Sequence, residues 1–229
     1  GGPRRRNIMR ALPIPAGIMV APGVNGNTPA LDTPTRVGVD GAKRLLAEAG
    51  YPDGFEFRLN CPNNRYVNDE EICQAILAMW ARIGVRAQLM AENMATFIQK
   101  VQNFDSSMYL LGWGVATYDA QYAVQSLART RTSGADGNFN FSKVSDPVVD
   151  RLTDAMKTET DIAKRDAMIV EALQRIKDEV LLIPIHHQMR PWAMKAGVTT
   201  VHRSDDRPEA RFASGRSRRP GRRHAPRGP

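Results

Sequence analysis

Apolar positions in the first half of the chain switch repeatedly between a helical and a strand period. Over 40–49, Ala42, Leu45, Leu46 and Ala49 share one helical face, Asp40 stands at the cap, and Gly50 followed by Pro52 closes the segment. Residues 55–60, FEFRLN, alternate with the two-residue period of a strand. After the polar loop 62–66, Asn68 with Glu71 makes a capping-box pattern for a helix displaying Ile72, Cys73, Ile76, Trp80 and Ile83, stopped by Gly84. Residues 85–90 read as the next strand, and Met94, Phe97, Ile98 and Val101 mark a short amphipathic helix. The run 108–111, MYLL, is short enough for a strand buried on both faces. The order β-α-β-α-β predicts an α/β fold: a parallel or mixed sheet flanked by helices, with right-handed crossovers.

The second half is more helical. Residues 122–127 predict one or two helical turns, and 130–138 a Gly-containing surface loop. Asp146 with Pro147 at the first helical position starts a helix bearing Val149, Leu152 and Met156. The segment 161–179 predicts a longer helix with Ile169, Leu173, Ile176 and Val180 as its seam, and 180–185 returns as a strand. Before all of these, 11–38 carries five prolines and several glycines and reads as an extended connector. No internal repeat is visible.

The formal net charge of +8 belongs to the ends. Residues 1–10 hold four arginines and no acid, and 203–229 hold nine arginines against three acids, so 11–202 is mildly acidic at −2. A nucleic-acid footprint on the body is therefore not expected. The tail 215–229, GRSRRPGRRHAPRGP, has no apolar periodicity and reads as disordered; it is either a solvated tail or sequence-end artefact, or a binder of RNA or an anionic membrane. No run approaches the roughly 18 apolar residues that span a bilayer, and the N-terminus lacks both an apolar signal region and an initiator Met, as expected of a chain that starts within something larger.

The chemistry is mostly negative. GxGxxG, P-loop and GxSxG patterns are absent, and no convergent catalytic set can be assembled, so no cofactor is expected. His186 and His187 are adjacent on a strand and point to opposite faces, which disfavours a shared metal. Asp69, Glu70 and Glu71 occupy a helix's first turn and read as a solvated complement to its dipole. Cys61 and Cys73 are too far apart for a CxxC pair and too few for zinc; they are either a bridge from strand end to helix, worth about 3 kcal/mol by loop closure, or two free buried thiols. The positive signal is 107–119, SMYLLGWGVATYD, where an apolar strand ends in Gly112, Trp113 and Gly114. In an open α/β sheet that is where a ligand surface forms, the glycines allowing close approach and the indole offering a flat wall; the competing reading makes Trp113 a core residue beside a turn.

Several segments, in this order, resemble the peptide/nickel family of extracytoplasmic solute-binding proteins of ABC importers: DGAKRLLAEAGYPDGFEF, DEEICQAILAMWARIGVRAQL, LLGWG, NFNFSKVSDPVVDRLTDA and AKRDAMIVEALQRIKDEVLLIPIHHQ. The resemblance covers about 13–212 and implies the C-terminal lobe of a type II periplasmic-binding-protein fold. It divides the chain into a connector from a missing first lobe (1–38), an α/β ligand-binding lobe (39–185), a segment re-entering the missing lobe (186–212) and a basic tail (213–229). It further implies a periplasmic, non-enzymatic, monomeric parent that closes on a peptide or similar small solute and delivers it to a membrane permease; a doubly wound enzyme is the alternative. Ligand contacts carried over are Gly112, Trp113, Gly114, Tyr118, Asp119, His187 and Gln188. Where peptide-binding members place an amine-anchoring aspartate, this chain has Ala116, which argues against an ordinary zwitterionic peptide. Without a partner lobe, Ile18, Met19, Val20, Trp192 and Met194 are expected to be exposed.

Overall fold

The computed structural model describes residues 14–189, 195, 198–201 and 209–212. The chain divides into two units, 1–189 and 190–229. Within the second, strands β6 (Val198–Val201) and β7 (Glu209–Phe212) form an antiparallel pair.

The first unit is built around a three-stranded parallel sheet. Strand β2 (Glu56–Pro62) lies between β3 (Arg86–Glu92) and β4 (Met108–Tyr109). Alternation along β2 sends Phe57, Leu59 and Cys61 to the face covered by α2 (Asp69–Trp80), where Leu77 and Trp80 join them. On the opposite face, α3 (Met94–Gln102) buries Phe97 and Val101 against Phe141 and Tyr109. The sulfurs of Cys61 and Cys73 are bonded, so the bridged alternative is the one the structure adopts and the end of β2 is tied to α2.

A second layer consists of α4 (Ala120–Leu127), α5 (Pro147–Met156) and α6 (Ile162–Asp178). Asp146 caps α5 as its sequence predicts, accepting hydrogen bonds from the Val148 and Val149 N–H groups. Ile169, Ala172, Leu173 and Ile176 of α6 pack against Val149, Leu152 and Met156 of α5.

Four local expectations change. Residues 16–31 are not an exposed connector: Ile18, Val20, Val24 and Leu31 are buried against α4, α5 and α6, and Met19 packs beside them, because this helical layer has an apolar face that the sheet does not cover. Trp192 and Met194 lie outside the described residues. The first helix, α1 (Val39–Glu48), has Gly38 as its N-cap, places Asp40 in the first turn, and buries none of its residues. Asn68 adopts a left-handed conformation (φ 56°) and its side chain makes no capping bond; the neighbouring Asp69, 3% exposed rather than solvated, accepts from the N–H groups of Arg65, Tyr66 and Glu70. None of 180–185, expected as a strand, forms one: Val180 turns the chain with φ 52°, Leu181 and Leu182 pack on the helical core, and the pairing begins only at His186–His187 (β5), antiparallel to β1 (Ile14–Pro15).

Candidate functional site

The carboxyl edge of the parallel sheet is the place to look, since strand polarity gathers there the loops that follow β2, β3 and β4. The loop after β2 carries Arg65 and Tyr66; the loop after β4 carries Gly112, Trp113 and Gly114. They meet directly. The Tyr66 hydroxyl donates to the Gly112 carbonyl at 3.3 Å, and a Cβ at residue 112 would stand 2.7 Å from the Tyr66 ring, so glycine is required for this approach. A Cβ at residue 114 would meet open space, leaving that side of the loop accessible.

Trp113 is half-buried. Its ring packs edge-on against Phe139 at 4.8 Å and lies tilted over Tyr122 at 5.5 Å, so one side joins the helical core while the loop around it faces solvent. Its Nε1 is buried without a hydrogen-bond partner among the described residues. An orphaned donor of this kind costs about 1–3 kcal/mol until an acceptor arrives.

Charge at this edge is lopsided. Asp119 accepts two hydrogen bonds from the Arg165 guanidinium, at 2.7 and 2.9 Å, a third from Asn25 and a fourth from the Gln121 N–H, which makes it the N-cap of α4. Burial alone would raise its pKa; the hydrogen bonds from Arg165, Asn25 and Gln121 outweigh that and hold it below the usual aspartate value. Glu92, at the end of β3, pairs with Lys100, and Asp69 is held by backbone N–H groups. Arg65 is exposed, its guanidinium 5.3 Å from the centre of the Tyr66 ring, and among the described residues it has no carboxylate partner. Sequence reasoning missed Arg65; the available signal was a lone cation in the polar loop after a strand's carboxyl end. Tyr118, in the Trp113 loop, is 40% exposed with φ 55°.

His187 and Gln188 are placed differently. His187 is buried, its Nε2 2.9 and 3.0 Å from the two Asp32 carboxylate oxygens, and Asp32 also accepts from the Gly17 N–H and from Asn27. Burial would raise the Asp32 pKa, but the bonds from Gly17, His187 and Asn27 lower it overall. His186, on the other side of the strand, has its pKa lowered by burial and by its neighbour His187. Gln188 follows, half-buried, and no hydrogen bond or ring contact among the described residues joins this pair to the Trp113 loop. Among the described residues no group of three or more His, Cys, Asp or Glu side chains is placed to hold a metal ion.

Comparison with known proteins bears on this geometry. The family model described as bacterial extracellular solute-binding proteins, family 5 middle, matches residues 5–135. The chain is 30% identical over 149 residues to di/tripeptide-binding protein 1 of Pseudomonas aeruginosa, covering 64% of this chain and 27% of that protein. It is also 30% identical over 141 residues to the glutathione-binding protein GsiB of Pectobacterium atrosepticum, covering 59% and 27%. The matched stretch is thus about a quarter of the length of these curated relatives. Among solved structures, the protein AgaA of A. tumefaciens in complex with agropinic acid superposes with a TM-score of 0.74 at 26% identity, over 85% of this chain and 39% of that one. A dipeptide-binding protein of Pseudoalteromonas in complex with Met-Leu shares the fold at a TM-score of 0.76 and 22% identity, over 91% and 42%.

Proposed function

Because this chain belongs to the bacterial extracellular solute-binding proteins of family 5 and has the α/β fold of type II periplasmic binding proteins, we propose that it supplies the ligand-facing lobe of an importer's solute-binding component. In this reading it works outside the cytoplasm, holds a small solute without transforming it and passes it to a membrane permease. The observation that carries the reading is the meeting of two loops at the sheet's carboxyl edge: Gly112, Trp113 and Gly114 provide an aromatic wall and approachable backbone, and Arg65 provides a cation with no carboxylate partner among the described residues.

That charge balance selects the solute. With Ala116 in place of a carboxylate and Asp119 neutralised by Arg165, nothing on the loop is offered to an ammonium group. Arg65, exposed and without a carboxylate partner among the described residues, favours an anionic oxygen. A carboxylate-bearing solute, as in the agropinic acid complex of AgaA, suits this set better than a peptide anchored by its free amine.

Isothermal titration with agropinic acid, the dipeptide Met-Leu and glutathione tests the reading. Trp113→Ala is expected to weaken whichever probe binds by about 2–3 kcal/mol, the range for an aromatic anchor, and Arg65→Gln to weaken it as well, since each of the three carries a carboxylate for the guanidinium to meet. Binding that survives both substitutions unchanged would refute it.

A further inference from the structure

Resting on the reading of 112–119 as ligand-facing, we infer that Arg165 is a positioning residue for that loop, acting on Trp113 from a helix position 46 residues beyond Asp119, through Asp119, α4 and Tyr122.

The contacts form a continuous path. Arg165 stands in the first turn of α6 and grips Asp119 with both arms of its guanidinium, while its Nε donates to the Met156 carbonyl at the end of α5. A planar fork on a carboxylate fixes direction as well as distance, which a single ammonium contact does not. Asp119 caps α4 through the Gln121 N–H, and its carbonyl accepts from the Tyr122 N–H at 3.3 Å. Tyr122 in turn lies beneath the Trp113 ring. Asn25 closes the arrangement. Its side chain donates to Asp119 and to Asp166, its N–H to the Tyr118 carbonyl at 2.8 Å, and its carbonyl accepts from the Ala120 N–H at 3.0 Å. One guanidinium thus ties together the start of α4, the end of α5 and the start of α6, at the point where the loop leaves the sheet edge for the helical layer.

Two consequences follow. Arg165 sets where the indole rests before any solute arrives, and it removes the loop's only carboxylate from recognition. Loss of Arg165 therefore loosens Trp113 and frees Asp119 at the same time. If the loop were then competent about one tenth of the time, apparent affinity would fall about tenfold.

Fluorine NMR of the full chain labelled with 5-fluorotryptophan reads this out, with Trp80, at the end of α2 in a separate cluster, as the internal control. In Arg165→Met the Trp113 resonance is expected to shift or broaden while Trp80 stays put, with affinity for agropinic acid falling about tenfold. Arg165→Lys, which keeps the charge but not the fork, is expected to restore the resonance only in part. Should Arg165→Met fail to fold, Asp119→Asn breaks the same path and is read identically. A Trp113 resonance unchanged in a folded variant, or Trp80 and Trp113 moving together, would overturn the inference. If the wild-type chain ignores every probe yet Arg165→Met still moves Trp113 alone, the positioning role stands and the solute-binding reading is the one that fails.

Discussion

The Trp113 loop and the Asp32–His187 pair look alike in the sequence: each offers an aromatic or imidazole ring and a carboxylate at the end of an apolar run. In three dimensions they are opposites. Asp32 and His187 are about nine-tenths buried, and the carboxylate accepts from Gly17, Asn27 and His187. The Trp113 loop has exposed glycines and meets a loop whose Arg65 is exposed and has no carboxylate partner among the described residues. What separates the two regions is how far their polar groups are satisfied rather than which groups they are.

The largest effect that could break this comparison lies at the buried pair. Replacing Asp32 with Ala strands the Gly17 N–H, Asn27 and His187 together. It is expected to lower unfolding stability by about 3–5 kcal/mol in a urea titration while leaving probe affinity unchanged at temperatures where the chain is folded. Loss of binding in a demonstrably native Asp32→Ala chain would erase the distinction between the two regions.

The disulfide sharpens it. Cys61 and Cys73 enclose the segment that carries Arg65 and Tyr66, so the double change to Ala removes about 3 kcal/mol of loop-closure stabilisation. It should weaken carboxylate-bearing probes as well, because the Arg65 loop is released at one end. Calorimetry showing a lower melting temperature with undiminished affinity would mean that Arg65 does not meet the solute.

The smallest effect concerns acid. Asp32, Asp119 and Asp146 all have folded pKa values held below the ordinary 3.8, Asp146 chiefly by the Val149 N–H. A depressed carboxylate contributes stability that is complete above its unfolded pKa and disappears as pH falls through the folded one. Stability attributable to these groups is expected to be flat from pH 7 to about 5 and to fall below about 3.8. The slope should be shallower in Asp146→Asn, and an identical slope in that variant would remove Asp146 from the account.

Much of the sheet could be read in advance. FEFRLN alternates cleanly because one face of β2 meets α2, and Asp146–Pro147 marks the start of α5 because capping is a local event. The Trp113 loop was visible for the same reason, an apolar run cut off by glycine. Residues 16–31 were not legible as core: their prolines and glycines break every period, and their burial is decided by the apolar face of α6, far away in sequence. His187 finds Asp32 across 155 residues and Arg165 finds Asp119 across 46, separations at which no spacing rule operates. Arg65 was hidden differently. It sits next to its strand, but the lack of a counter-charge is a property of the folded neighbourhood.

The register of β1 with β5 has one more implication. Ile14 and His187 are opposite each other, so the polypeptide sets out from and comes back to a single point. Everything between is a closed excursion hung from a two-residue ribbon, which makes it a natural cassette: its ends are already close enough to be ligated to one another, or spliced into a surface turn of an unrelated scaffold, with little rearrangement of what lies inside.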